Sequence, residues 1–136
     1  NLRPDEHILA FVDAAKADGL KLAVATSSTK KRAHAILDAL GLSERLDAVI
    51  TVEDVVNHKP HPEIFLAAAD ALAIDPMDCL VIEDAVNGIE AANSAGMVSV
   101  AKLTEYHAKD DFVEADYFFR NFQDLKLSRL KGLFSD

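Results

Sequence analysis

The feature that most constrains this chain is a series of short apolar runs separated by stretches of helical periodicity. KLAVAT (21–26), DAVIT (47–51), DCLVIED (78–84), MVSVAK (97–102) and ADYFF (115–119) read as strands. Between them lie helices about ten residues long. Pro4 is placed to open the first, with Asp5 and Glu6 in its first turn, Ile8, Leu9, Phe11, Val12 and Ala15 at helical spacing, and Gly19 as its stop. SSTKKRAHAILDALGL (27–42) supplies a hydroxyl cap, a helix and a glycine stop, and Pro62 and Glu63 open another helix through Ala73. AVNGIEAANSAG (85–96) is the next, and DLKLSRLKGLF (124–134) a final helix or irregular tail. Strands alternating with helices argue for parallel βαβ units. Strands that are nearly continuous apolar runs argue for helices on both faces of the sheet. The expected fold is α/β, a doubly wound, Rossmann-like parallel sheet.

The chain has 136 residues, half of them hydrophobic, which suits one domain with one core. Its formal net charge is −9, and its densest basic run is Lys30-Lys31-Arg32, read as a solvated helix face. That balance argues against a nucleic-acid partner, since phosphate backbones reward dense positive charge. A small phosphorylated ligand stays compatible, because one lysine, a metal and a few backbone N–H groups can hold it whatever the global charge. No apolar run approaches the ~20 residues of a membrane span. The single cysteine, Cys79, excludes an intrachain disulfide, and its apolar neighbours predict a buried free thiol in a reducing compartment. Acids interrupt the apolar positions of NLRPDEHILAFVDAAKADG, so it does not read as a signal peptide, and a cytoplasmic location is expected.

Three polar sites fall just past strand ends. Thr26, Ser27 and Ser28 follow the first strand, Lys59 in NHKPHPEIF lies in the loop after the second, and Glu83 and Asp84 follow the third. Ligands of open α/β sheets bind at the carboxyl ends of the strands. Each site has a plainer reading. The hydroxyls can cap the next helix, Lys59 can be a solvated loop lysine, and the two acids can favour a helix start. His58 and His61 flank the Lys-Pro pair without an evident third metal ligand. His7, His34 and His107 read as surface residues. Together, a hydroxyl, a lysine and a carboxylate-held Mg²⁺ supply the charge neutralisation that phosphoryl transfer needs, and Ser27 and Ser28 could add donors at a helix N-terminus.

KLAVATSS, HKPHPEIFLAAADAL and VIEDAVNGIEAANSAGM together resemble the haloacid dehalogenase superfamily, and within it the β-phosphoglucomutase and phosphoglycolate phosphatase group. The likeness covers roughly residues 4 to 125. It implies that Thr26 is the hydroxyl that hydrogen-bonds the transferring phosphoryl group, that Lys59 neutralises phosphate and nucleophile, and that Glu83 and Asp84 hold Mg²⁺. The family's first motif, an apolar strand ending in Asp-x-Asp, has no match, since no two aspartates here are separated by one residue. The resemblance therefore implies a core domain, residues 1–136, that is the C-terminal portion of such an enzyme, without the central nucleophile-bearing strand and the helical cap.

The implied function is a Mg²⁺-dependent phosphomonoester hydrolase acting on a small phosphorylated metabolite, with this chain inactive alone. A phosphosugar mutase is the alternative within the family, and a non-catalytic phosphate-binding or interaction module the alternative outside it. The implied partner is the N-terminal half or a second copy of the chain. Because CLVI carries no Pro, Lys or Arg to blunt an edge, strand 79–82 is expected to be paired on both sides, by 21–25 of the same chain, by a swapped copy or, most simply, by an N-terminal fragment.

Overall fold

The computed structural model describes residues 2–107, 109–112 and 114–134. In chain order the elements are α1 (Glu6–Ala17), β1 (Ala23–Ala25), α2 (Lys30–Ala39), β2 (Ala48–Ile50), α3 (Glu63–Leu72), β3 (Leu80–Glu83), α4 (Val86–Ser94), β4 (Val98–Lys102), β5 (Tyr117–Phe119) and α5 (Leu127–Lys131). Every expected strand forms, shortened at its ends, and every strand pair is parallel. The helix starts differ in detail. Asp5, not Pro4, caps α1, its carboxylate accepting from the backbone N–H of His7 and Ile8, a role an acceptor side chain fills and proline cannot. Thr29 caps α2 by accepting from Arg32 N–H, which leaves Thr26, Ser27 and Ser28 outside the cap.

The strands divide into two sheets, β1-β2 and β3-β4-β5, with β1 and β3 not bonded to each other. Alternation along β3 and β4 sends side chains to opposite faces. Val81 joins Ile64, Phe65 and Ala69 of α3, Ala91 and Ala92 of α4, and Met97 in one buried cluster. Leu80, Ile82 and Val98 pack instead with Val100, Phe119, Leu125 and Leu130, against which Phe11 of α1 also lies. Helices therefore cover both faces, as the continuous apolar strands require. Ala25 and Ile50 pack on the first cluster, so α3 carries one core across both sheets. A third cluster joins Ile89 of α4 to Ala101, Leu103 and Phe112. The polar end of β4 is tied down as well. Fully buried Ser99 donates its backbone N–H to Asp116 Oδ2 at 2.8 Å and its hydroxyl to Asn93 Oδ1 at 2.7 Å.

Within this chain the expectation that strand 79–82 is paired on both sides is not met: among the described residues β3 pairs with β4 alone, and 21–25 does not close on it. Val98 N–H donates to Cys79 C=O, which turns the backbone groups of Cys79, Val81 and Glu83 toward β4 and those of Leu80 and Ile82 away from it. Thr26 N–H donates to Ile50 C=O, so Val24 faces β2 while Ala23 and Ala25 present their groups to the other side. The two free edges border a cleft of about 220 Å³ lined by residues of β1, α3 and β3 together with Cys79 and Met97. Opening onto that cleft leaves Cys79 half-buried, not buried as expected. Burial still pushes its thiol pKa up, and Asp78 and Asp75 add to the rise.

This edge geometry sets an amide-exchange pattern. Hydrogen exchange of the 136-residue chain, followed residue by residue by NMR, should show Ala23, Ala25, Leu80 and Ile82 exchanging markedly faster than Val24, Val81 and Glu83. Uniform protection along β3 would show that its second edge is paired.

Candidate active site

Three loops converge at the carboxyl ends of β1 and β3, and Lys59 is the residue that joins them. Its ammonium donates to Glu83 Oε2 at 2.8 Å and to Ala25 C=O at 3.4 Å. The lysine side chain is 9% exposed and that of Glu83 13%, so the pair is largely withdrawn from water. The lysine head also stands 5.1 Å from the Phe65 ring centroid, on the first turn of α3. Ala25 C=O is one of the edge groups that face the cleft, and Thr26 follows it in the chain. The lysine thus spans from the end of one sheet to the end of the other.

The segment carrying Lys59 is shaped by Glu63, the first residue of α3. Its carboxylate accepts from Val56 N–H at 3.0 Å, Asn57 N–H at 2.9 Å and Asn57 Nδ2 at 3.1 Å. These bonds, those to Asn57 and Val56 N–H first, hold the Glu63 pKa below its ordinary value. His61 Nδ1 accepts from Glu63 N–H, and His61 N–H donates to His58 C=O. The two histidines thus serve the turn, and among the described residues no three His, Cys, Asp or Glu side chains gather as a metal cluster. The Lys59–Pro60 peptide is cis. Glu63 entered the sequence reading only as a helix-opening acid, although an acid four residues after a loop lysine is the signal that would have marked it.

The two acids of the third site do different things. Glu83 folds back, its Oε1 accepting from Asp84 N–H at 3.2 Å and Ala85 N–H at 3.3 Å while Oε2 holds Lys59. Both of its oxygens are engaged. Asp84 is exposed and borders a crevice of about 200 Å³ with Ile82, Glu83 and Lys102. Of the two acids, Asp84 is the one whose carboxylate is open to the crevice, with Glu83 beside it. One open carboxylate beside a second acid could take an ion that keeps several waters. Lys102, at the end of β4, was absent from the sequence reading because a lysine closing an apolar strand has no pattern of its own.

At the first site, Thr26 Oγ1 accepts from Ser28 N–H at 3.1 Å, Ser27 is exposed, and Ser28 C=O accepts from Val52 N–H. With Thr29 as the helix cap, the 26–28 turn keeps its hydroxyls at the strand end, while the Thr26 and Ser28 amides are taken by Ile50 C=O and Thr26 Oγ1. Lys30, Lys31, Arg32 and His34 are exposed, as expected, whereas His107 is half-buried with its ring against Phe112 at 5.6 Å.

With this arrangement in place, comparison with known proteins decides the family. Residues 1–96 match the family model described as haloacid dehalogenase-like hydrolase. The chain belongs to that family. It is 35% identical over 136 residues to a haloacid dehalogenase-like hydrolase domain-containing protein of Arabidopsis thaliana, covering 98% of this chain and 43% of that protein. It is 44% identical over 79 residues to the fructose-1-phosphate phosphatase YqaB of Escherichia coli, covering 58% of this chain and 42% of that one. The crystal structure of β-phosphoglucomutase from Clostridium difficile superposes with a TM-score of 0.84 at 31% identity, covering 98% of this chain and 56% of the mutase. The chain thus spans about half the length of the relatives it matches. It is a member of the β-phosphoglucomutase and phosphatase group of the superfamily, with the expected Rossmann-like α/β fold.

The Glu63 network carries a definite pH dependence. A carboxylate whose folded pKa is depressed adds stability that is fully present above its unfolded value, about 4.3. It is lost as pH falls from there through the lower folded value. The amides of Val56 and Asn57 should therefore lose exchange protection as pH drops below about 4.3, and Glu63→Gln should loosen them at neutral pH. Protection that is unchanged in Glu63→Gln at pH 7 would exclude this anchor.

Proposed function

We propose that this chain forms the phosphate side of a Mg²⁺-dependent phosphomonoesterase of the haloacid dehalogenase type, acting on a small phosphorylated metabolite in the cytoplasm. The observation that carries the reading is the Lys59 ammonium, largely buried and held between Ala25 C=O and Glu83 at the shared end of β1 and β3. A fixed cation at the carboxyl end of a parallel sheet is suited to neutralising phosphoryl oxygens.

In this proposal Lys59 neutralises the transferring phosphoryl group, Thr26 gives it a hydroxyl hydrogen bond, and Ser27 and Ser28 add donors. Asp84, with Glu83 beside it, would hold Mg²⁺, which when bound supplies further neutralisation of phosphoryl charge. Residues 1–136 act as one core domain. They contain no Asp-x-Asp, so the aspartate nucleophile and its acid/base partner come on another segment. The cleft between β1 and β3, with unpaired backbone groups on both sides, suits one added strand. The proposed donor of strand and nucleophile is the N-terminal half of such an enzyme; a second copy of this chain would fill the cleft without bringing an Asp-x-Asp. A mutase needs the same phosphate side, so the division between hydrolysis and transfer lies with that missing segment. The lack of an Asp-x-Asp also favours one other reading, a phosphate-binding module without catalysis.

Two outcomes are expected of the chain alone. Inorganic phosphate should shift the NMR amide signals of Thr26 to Ser28, and Lys59→Met should abolish those shifts. With p-nitrophenyl phosphate and Mg²⁺, turnover should be negligible, since loss of a covalent nucleophile removes several orders of magnitude. No phosphate-dependent shift would overturn the phosphate-side reading, and turnover near or above about 1 s⁻¹, the low end of ordinary enzymes, would overturn the incomplete site.

The metal site makes a separate claim. Calorimetric titration should show weak Mg²⁺ binding that weakens further in Asp84→Asn. Tight binding lost in that variant would mean that this chain holds a complete coordination shell.

A further inference from the structure

We propose that Gly88 is a positioning residue for the site, its missing side chain making the room in which Glu83 holds Lys59. Gly88 is the third residue of α4, and it is buried within regular helix where φ is not positive. The helix itself has no use for glycine there, since only proline disfavours helix more. The reason lies across the contact. A Cβ built on Gly88 would overlap Cγ, Cδ and Oε2 of Glu83, and these are its three nearest atoms. The three atoms it would meet first all belong to one side chain, so the glycine makes room for Glu83 itself.

The Glu83 carboxylate occupies this place because of its partners. One oxygen takes the Asp84 and Ala85 N–H groups at the helix entrance, and the other takes the Lys59 ammonium. A methyl group at position 88 expels the carboxylate from between them. Lys59, with its side chain 9% exposed, then loses its paired acid, and an unpaired, largely buried ammonium moves toward water. Gly88, Glu83 and Lys59 thus form one steric and electrostatic relay that sets where the cation stands. That Lys59 faces a phosphate rests on the function proposed above. The packing of Glu83 on Gly88 does not, and the following experiment reads only the packing.

Gly88→Ala should lower the denaturation midpoint of the chain. In a Lys59→Met/Glu83→Ala background, where both charges are gone, the same substitution should raise the midpoint, because only the helix preference for alanine remains. In the chain with Lys59 intact, brief acetylation with acetic anhydride read by mass spectrometry should modify Lys59 severalfold faster once Gly88 is alanine, with the exposed Lys31 of α2 as the internal reference. If Gly88→Ala alone does not fold, recovery of folding by adding Lys59→Met/Glu83→Ala supports the relay. A penalty of the same sign and size in both backgrounds, a triple variant that also fails to fold, or unchanged protection of Lys59 would overturn it.

Discussion

A single ammonium group bridges the two halves of this fold. Lys59 donates to the last carbonyl of β1 and to the carboxylate that ends β3, and no backbone hydrogen bond joins those two strands. Withdrawing a cation from water is costly unless it is paired and hydrogen-bonded. The rest of the site follows from meeting that condition. Glu83 supplies the counter-charge, and Phe65 supplies a ring face. Glu63 fixes the turn from which the lysine starts. Beneath the lysine, α3 packs one apolar cluster against strands of both sheets, so the polar bridge and the apolar one lie on the same two strand pairs.

The cleft between β1 and β3 gives this arrangement its character. Leu80 and Ile82 turn backbone donors and acceptors into it from one side, and Ala23 and Ala25 from the other. Edges of this kind invite pairing, and the neighbouring apolar side chains are those of a strand made for the middle of a sheet. Lys59 partly answers the need by taking one of the free carbonyls, and the others remain open to the cleft. In the proposed enzyme the strand seated there would carry the nucleophile between Thr26 on one side and Asp84 on the other. The same constraint would then complete the sheet and the site together.

Much of this was legible in residue order. The apolar runs at 21–26, 47–51, 78–84, 97–102 and 115–119 all contain strands, because a run of that length between helical patterns has few other ways to be buried. Thr26, Lys59, Glu83 and Asp84 stood out because each follows a strand or its loop, where open α/β sheets place ligands. Other features were not legible, for physical reasons. Pro4 looked like a helix start until the Asp5 carboxylate was seen to reach two amides. The two acids looked equivalent until Glu83 was seen to spend both oxygens on Lys59 and the helix entrance. Gly88 carried no signal of its own in the sequence, since its purpose lies in a side chain five residues earlier whose direction the sequence does not state.

The sequence by itself determined the parallel α/β class, the order of elements and the family, because these depend on periodicity, strand length and short motifs that are local in the chain. Only the tertiary structure decided that β3 has one open edge, that Cys79 borders a cleft, and that Lys59 pairs with Glu83 and leaves Asp84 exposed. Those outcomes depend on which groups face one another across 24 or more residues of chain, and a carboxylate with several donors in reach is assigned by geometry alone.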